Sequence, residues 1–274
     1  ALQVWNAADM SFWEPTSYRG NGLMPLIARF GLAALPGLER LAGDAALHVL
    51  PQVESLESSG LALCAANAFV RLKTARSAAA RWLRRHPATS ALALLPLAFG
   101  KNKKAREMAL QMVRWLAQQG ADEALRDAAR RHGADAVAAL EPLLATAPWQ
   151  ILPAQLPELP GWLITASLPR PLLRDGVHAL PLAALPDLAM SFALSTPEAP
   201  YAGLEAVRET CTPESLTDFA WGMFEQWLSA TAPAKDNWMF TALALVGNDE
   251  TARRLTPLLR RWPGESAHAR AVTG

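Results

Sequence analysis

The sequence predicts an all-α fold, and three observations carry this prediction. Alanine and leucine supply 98 of the 274 residues, and both rank high in helix propensity, whereas strands favour β-branched and aromatic residues. The hydrophobic fraction is 51%, which is too high for a disordered chain. Apolar residues also recur at helical spacing from Gly22 onward. Together these observations exclude a β-sandwich or barrel.

The elements follow in order. Residues 1–21 show no hydrophobic period, so we expect an irregular lead-in there. Residues 22–147 have an almost continuous helical pattern, and 105–116 shows it most clearly, since its apolar residues form one face of a helix. Gly120 is predicted to end this helix, and Asp122 to begin the next.

A tryptophan-leucine pair recurs near predicted helix ends. Arg81-Trp82-Leu83 and Arg114-Trp115-Leu116 lie 33 residues apart, and Gln226-Trp227-Leu228 is a third copy. A helix breaker follows each copy: Pro87, Gly120 and Pro233. We expect each indole to wedge between its own helix and the next. Paired helices with a period in the thirties are typical of an α-solenoid, which is the architecture predicted here.

Residues 148–200 hold 10 of the 21 prolines. Proline lacks a backbone donor and restricts the residue before it, so only short helices are expected here, such as broken pieces within 176–194. Apolar residues such as Trp162 and Leu163 make the stretch too hydrophobic for a free linker. We therefore predict an ordered, proline-rich connector that packs along the solenoid.

Helical repeats are predicted to resume over 201–274. Thr212-Pro213-Glu214 has the pattern of a helix start, and a second helix is expected from Asp236 to Gly247. Asn248-Asp249-Glu250 opens a third, which Pro263-Gly264 is expected to end. The chain lacks an initiator methionine and stops without a helix stop signal, so we expect it to be cut from something longer.

The net charge of +1 hides a basic band. Residues 71–114 carry 11 basic and 1 acidic side chains, whereas residues 1–70 and 115–274 are both net acidic. Such a band predicts a surface for phosphate, nucleic acid or an acidic partner, and the alternative is a set of solvated outer helix faces. The candidate binding residues are Arg81, Arg84, Arg85, Lys101, Lys103, Lys104, Arg106 and Arg114. For the tetrad Lys101–Lys104 the two options are an anion contact at a helix N-terminus and an exposed loop.

No catalytic, metal or cofactor motif is visible. The five histidines have no ligand partner at a metal-binding spacing, and neither a phosphate loop nor a nucleophile motif occurs. His86 and His132 are expected to cap helix C-termini, and the ten tryptophans to pack in the core.

The compartment is predicted from the cysteines and the hydropathy. A secreted disulfide scaffold would carry more cysteines than Cys64 and Cys211, so a reducing compartment and a cytoplasmic location are predicted. Each of the two is expected to be a small buried hydrophobe. The longest uncharged stretch of apolar character, 86–100, spans 15 residues and contains two prolines, so no membrane span is expected.

Several motifs in 201–274 resemble a bacterial family. These are Tyr201-Ala202-Gly203-Leu204-Glu205, Phe219-Ala220-Trp221, Lys235-Asp236-Asn237-Trp238, and the run from Gly247-Asn248-Asp249-Glu250 to His268-Ala269-Arg270. They resemble the HEAT-like repeat region of large proteins described as molybdate-metabolism regulators, which often carry a WGR module and a domain of unknown function numbered 4132. The resemblance implies a HEAT-like superhelix inside a longer regulatory protein, and it supplies no catalytic residue.

These observations predict a non-enzymatic scaffold or interaction module with an unidentified protein partner. The alternative is nucleic-acid binding through the phosphate backbone by the band 71–114. An enzyme such as a base-excising HEAT-like glycosylase needs a carboxylate near aromatic walls, and the band offers only Glu107.

Overall fold

The computed structural model describes Gln3, Asn6, residues 23–153 and residues 155–259. Of the predicted lead-in 1–21, only Gln3 and Asn6 are described, and both are helical. The predicted end of the last helix at Pro263-Gly264 lies outside the described residues. The chain divides into two compact units, Ala1–Ala147 and Pro148–Gly274, so the boundary falls where the proline-rich stretch begins.

Helices account for the regular structure of both units. Unit 1 contains α1 Met24–Phe30, α2 Leu35–Asp44, α3 Ala46–Val49, α4 Ser59–Arg71, α5 Arg76–Arg85, α6 Pro87–Ala98, α7 Lys103–Gln118, α8 Asp122–His132 and α9 Ala134–Ala145. Unit 2 contains α10 Leu185–Ala193, α11 Ala202–Thr210, α12 Pro213–Ser229, α13 Trp238–Val246 and α14 Asp249–Leu259. Among the described residues only isolated β-bridges occur, such as Leu172 with Ala179. The all-α prediction is confirmed, and no helix in this part of the chain has the length and apolar character needed to cross a bilayer.

Alternate helices of unit 1 are neighbours. Helix α4 packs on α2, α5 and α6, and α6 packs on α7 and α8, while α8 also contacts α9. Among the other helices, α3 contacts α5 and α7 contacts α9. Alanines such as Ala65 and Ala79 are fully buried at these contacts, and a side chain that stops at Cβ lets helix axes approach closely.

Helix α7 has the amphipathic pattern predicted for 105–116. Met112, Val113 and Leu116 are fully buried on one face. The Asn102 side chain caps the helix by accepting from the Ala105 N–H at 3.1 Å. Gly120 follows with φ +80°, a left-handed conformation that suits glycine. The predicted stop is therefore confirmed.

The repeated tryptophans are buried as predicted, but two of them contact preceding elements. Trp82 donates its indole N–H to the Val53 carbonyl at 3.3 Å, and the Trp115 ring lies 4.8 Å from the Phe69 ring of α4. The Trp82 ring also lies 4.6 Å from the ring of His86, which stands between α5 and α6. The Trp227 ring lies 5.3 Å from Phe240 of α13, so the predicted contact with the next helix is confirmed at Trp227. For Trp82 and Trp115 the contact with the next helix stays a prediction.

The two predicted capping histidines stand at helix C-termini, but their rings bind carbonyls of other segments. His86 Nε2 lies 2.8 Å from the Glu54 carbonyl, and His132 Nε2 lies 3.1 Å from the Leu92 carbonyl on α6. The usual helical donor to that second carbonyl would be the N–H of residue 96, which is a proline. His132 therefore joins two helices where α6 cannot close its own hydrogen bond.

The proline-rich stretch forms part of the unit 2 core. Leu163 and Leu168 are buried there, and α10 alone is α-helical within the predicted pieces of 176–194. Trp162 donates its indole N–H to the Asp236 carboxylate at 2.9 Å. Residues Ala234–Asp236 form a 3₁₀ turn, and α13 begins at Trp238, two residues later than predicted.

The other predicted helix starts of unit 2 have different outcomes. Thr212 precedes α12, but its hydroxyl donates to Ser215 Oγ at 2.7 Å and caps no backbone N–H. Asn248 does cap α14, because its Oδ1 accepts from the Thr251 N–H at 3.0 Å. The predicted cap is confirmed at Asn248 and wrong in its mechanism at Thr212.

Candidate partner-binding surface

The last two turns of α5 present three of the candidate arginines. Arg81, Arg84 and Arg85 are exposed, while Trp82 and Leu83 between them are fully buried. This separation follows from the period of the helix, which sends neighbouring residues to different faces. A positive charge in the last turn also interacts favourably with the helix dipole.

Two of these arginines are held in place. The Arg84 guanidinium lies 5.4 Å from the centroid of the Trp115 ring, and its Nε donates to Gln119 Oε1 at 2.8 Å. Arg81 Nε lies 3.3 Å from a carboxylate oxygen of Glu54. Stacking on an aromatic face leaves a guanidinium charged and oriented. The side chain of Arg84 therefore ties α5 to the C-terminal end of α7.

Arg85 lines a cavity of about 440 Å³ in unit 1. Its other lining residues are Met24, Pro51, Gln52, Glu54 and Ser55. Gln52 accepts from the Leu23 N–H at 3.3 Å and donates to the His48 carbonyl at 3.0 Å, so its amide is already in use. Arg85 has no carboxylate partner among the residues that the structure describes.

The second basic group surrounds the N-terminus of α7. Lys101, Lys103, Lys104 and Arg106 are all exposed. Lys103 Nζ lies 4.0 Å from Glu107 Oε1, which is a weak surface ion pair. Lys101 and Asn102 therefore lie in an exposed loop, and Lys103 and Lys104 lie in the first turn of α7. The Asn102 side chain already accepts a hydrogen bond from one backbone N–H of that turn.

The structure does not bring the eight candidates into one cluster. Lys103 and Trp115 are separated by twelve residues of one helix, about 18 Å along its axis. The group on α5 lies at the far end of α7 from the lysines. Arg114 is half-buried, and its Nε is buried without a hydrogen-bond partner in the described part of the chain. We call these eight residues together the basic surface.

Sequence reasoning missed a column of stacked groups that crosses three helices. The Arg76 guanidinium lies 5.7 Å from the Phe69 ring, and Phe69 in turn contacts Trp115, on which Arg84 stacks. Arg76 Nε also donates to the Phe69 carbonyl at 3.0 Å. The members come from α4, α5 and α7, so no local spacing reveals them. This column gives two arginines of the band fixed positions.

Neither a metal centre nor an activated nucleophile stands out in the described residues. No group of three His, Cys, Asp or Glu side chains is arranged to hold a metal there. Cys64 Sγ donates to the Glu39 carbonyl at 3.2 Å, and burial raises the pKa of its thiol to about 11, with a further contribution from the charges of Glu39 and Asp44. A thiol of this kind is protonated at neutral pH and is a poor nucleophile.

Comparison with known proteins shows that the chain is similar in sequence to a curated protein. It is 37% identical over 245 residues to a protein of Escherichia coli (strain K12) called uncharacterized protein YehI. The aligned region covers 89% of this chain but 20% of the relative, so the chain spans about a fifth of that protein's length. No family model matches the chain, and no solved structure matches it. The resemblance to HEAT-like regulatory proteins stays a prediction.

Proposed function

We propose that this chain is a non-enzymatic interaction module of a longer protein, and that it binds an acidic partner through the basic surface. The observation that carries the proposal is that few of these positive charges are paired with carboxylates. Seven of the eight side chains are exposed, and four of these, Arg85, Lys101, Lys104 and Arg106, have no ion pair to a carboxylate among the described residues. Uncompensated like charges repel one another, so an anionic partner would relieve this repulsion.

The packing of unit 1 supports a repeat array as the scaffold. Contacts between alternate helices, α4 with α6 and α6 with α8, are those expected when helix pairs stack in an α-solenoid. The 33-residue shift also relates α5 and α6 to α7 and α8 in the same order. Repeat arrays present extended surfaces and recognise partners without a buried catalytic group. We infer from this a HEAT-like array, and the regulatory role suggested by the resemblance belongs to the same proposal.

The test uses three basic residues for which the structure gives no carboxylate partner among the residues it describes: Arg85, Lys104 and Arg106. The triple variant Arg85→Glu, Lys104→Glu, Arg106→Glu is titrated with a fluorescent twenty-residue polyglutamate. We expect binding to weaken at least tenfold, because each reversal replaces an attraction by a repulsion of roughly 1 kcal/mol or less per exposed pair. Arg131→Glu on α8, also exposed, is the matched control and should bind as the parent does. Equal affinity of the parent and the triple variant would contradict the proposal.

Nucleic-acid binding is the second candidate, and the separation of the two basic groups favours contacts to phosphates. The aromatic residues of the band offer little for base stacking, since Trp82 is fully buried and Phe99 is 36% exposed. The measurement is binding of a twenty-base-pair duplex across a salt series. Each side chain that meets a phosphate contributes roughly −0.9 to the slope of log affinity against log salt. A duplex that binds more tightly than polyglutamate, with a slope that flattens in the triple variant, would select this alternative.

A further inference from the structure

The exposed face of α12 forms the floor of a groove in unit 2. The groove has a volume of about 500 Å³, and its walls are the proline-rich segment at Leu168-Pro169 and the side chain of Arg254 from α14. Gly222 allows the segment to come close, because a Cβ at this position would lie 2.8 Å from Pro169 Cδ. The groove is therefore a built feature of the packing between α12 and the segment before it.

Two carboxylates lie along this floor. Asp218 and Glu225 are seven residues apart on α12, about 10.5 Å along the helix axis, and both line the groove. Asp218 is exposed and has no ion pair among the described residues. The lining contains one cation, Arg254, so the groove carries a net negative charge within the described part of the chain.

Arg254 shows which chemistry the groove already accommodates. Its guanidinium carbon lies 3.8 Å from the centroid of the Trp221 ring, and its Nη2 lies 2.8 Å from Glu225 Oε1. The ring is itself fixed, because Trp221 Nε1 donates to Thr251 Oγ1 at 3.3 Å. An aromatic face with a carboxylate at its edge is a preformed site for a guanidinium.

We infer that this groove binds a basic, extended segment of a partner protein, with one arginine or lysine side chain paired to Asp218. Charge complementarity carries the choice of occupant, since the unpaired carboxylate and the acidic floor both favour a cation. Two arginines three residues apart in an extended polyproline II segment lie on the same side of it, because this conformation has three residues per turn, and they are separated by about 9 Å, close to the spacing of Asp218 and Glu225. A second arginine would compete with Arg254 for Glu225 and the Trp221 face. The inference uses residues of unit 2 alone, so its test is independent of the test of the basic surface.

The experiment measures fluorescence anisotropy of a labelled six-residue peptide, Gly-Arg-Ala-Ala-Arg-Gly with blocked ends, against the whole 274-residue chain. Asp218→Asn is expected to weaken binding roughly threefold to fivefold, the effect of one partly exposed ion pair. Glu214→Gln, on the same helix but outside the groove lining, is the matched control and should leave the affinity unchanged. Arg254→Ala should strengthen binding by a similar factor, because it releases Glu225 and the Trp221 face.

Three outcomes would overturn the inference. The first is equal peptide affinity for the parent and Asp218→Asn. The second is equal binding of a matched peptide that carries glutamine in place of both arginines. The third is free arginine methyl ester binding as tightly as the peptide, which would make the groove a site for a small cation. Thermal melts of each variant test whether it is folded, and we expect Asp218→Asn to leave the fold intact because Asp218 is exposed.

Discussion

The two units build their cores from different side chains. Unit 1 buries many alanines, among them Ala62, Ala65, Ala79 and Ala91 at full burial, with leucines between them. Unit 2 concentrates aromatic rings, and the Phe224 ring lies 5.3 Å from Trp221, 5.4 Å from Trp227 and 5.6 Å from Phe240.

This difference predicts which kind of substitution destabilises each unit. Alanine contacts are spread over many helix pairs, and each contributes little because few atoms are buried per residue. An aromatic cluster buries a large area in a few side chains and adds specific ring geometry. Unit 2 should therefore lose stability through one deleted ring, whereas unit 1 should suffer chiefly when a small side chain is enlarged.

The largest expected effect is that of Phe224→Ala in unit 2. Phe224 is fully buried and contacts three other rings, so its removal leaves a cavity and costs about 3–5 kcal/mol of unfolding free energy. Hydrogen exchange should show loss of protection in α10, α12 and α13, with α4 to α8 unchanged. Ile164→Ala, at a side chain that is 61% exposed in the same unit, is the control. Equal loss of protection in both units would contradict the predicted difference between them.

Overpacking of unit 1 should have the next largest effect. Ala79 on α5 is fully buried, and Ala79→Leu forces extra atoms into a closely packed contact, at about 1–3 kcal/mol. Ser77→Leu places the same side chain at an exposed position of the same helix and should change stability by less than about 0.5 kcal/mol. Urea unfolding of both variants gives the comparison. If Ala79→Leu left the free energy of unfolding unchanged, the alanine contacts of unit 1 would not be closely packed.

The last comparison concerns reactivity and not stability, and it compares one cysteine in each unit. With a pKa of about 11 for Cys64, roughly one thousandth of this thiol is ionised at pH 8, against about a quarter of an ordinary thiol. Labelling by a disulfide reagent should therefore be roughly two hundredfold slower than for a free thiol, and it should accelerate as the pH rises toward 11. Cys211 is fully buried, and burial raises the pKa of its thiol despite the opposing charge of Arg174.

Cys211 should react only through opening of unit 2, so Phe224→Ala should accelerate its labelling and leave Cys64 unchanged. The Cys64→Ala variant has Cys211 as its one remaining thiol, so its labelling kinetics show which kinetic phase belongs to which cysteine. A fast reaction of Cys64 at neutral pH would contradict the structure of its site.

Local patterns predicted several elements well, and they failed where distant segments meet. The stop at Gly120 and the caps at Asn248 follow from backbone requirements of single residues. The role of Asp236 could not be predicted, because its partner Trp162 lies 74 residues earlier in the chain. His132 is a similar case, since its contact at Leu92 depends on a proline in another helix.

The candidate site shows the same division. The excess of positive charge in 71–114 is evident from composition, but its separation into two groups about 18 Å apart depends on the length and direction of α7. The groove on α12 was not expected from the sequence. Asp218 and Glu225 have helical spacing, but the wall at Pro169 comes from the proline-rich stretch, and the Arg254 guanidinium from α14.

By itself the sequence determined that the chain is helical and where several helices begin and end. It also determined that positive charge is concentrated in one stretch. These properties depend on propensity, caps and charge, which act over a few residues. Only the tertiary structure decided which helices pack together, which cations have partners, and that an arginine occupies the face of Trp221. Contacts of this kind join residues distant in the chain, and burial, shape and desolvation select them jointly.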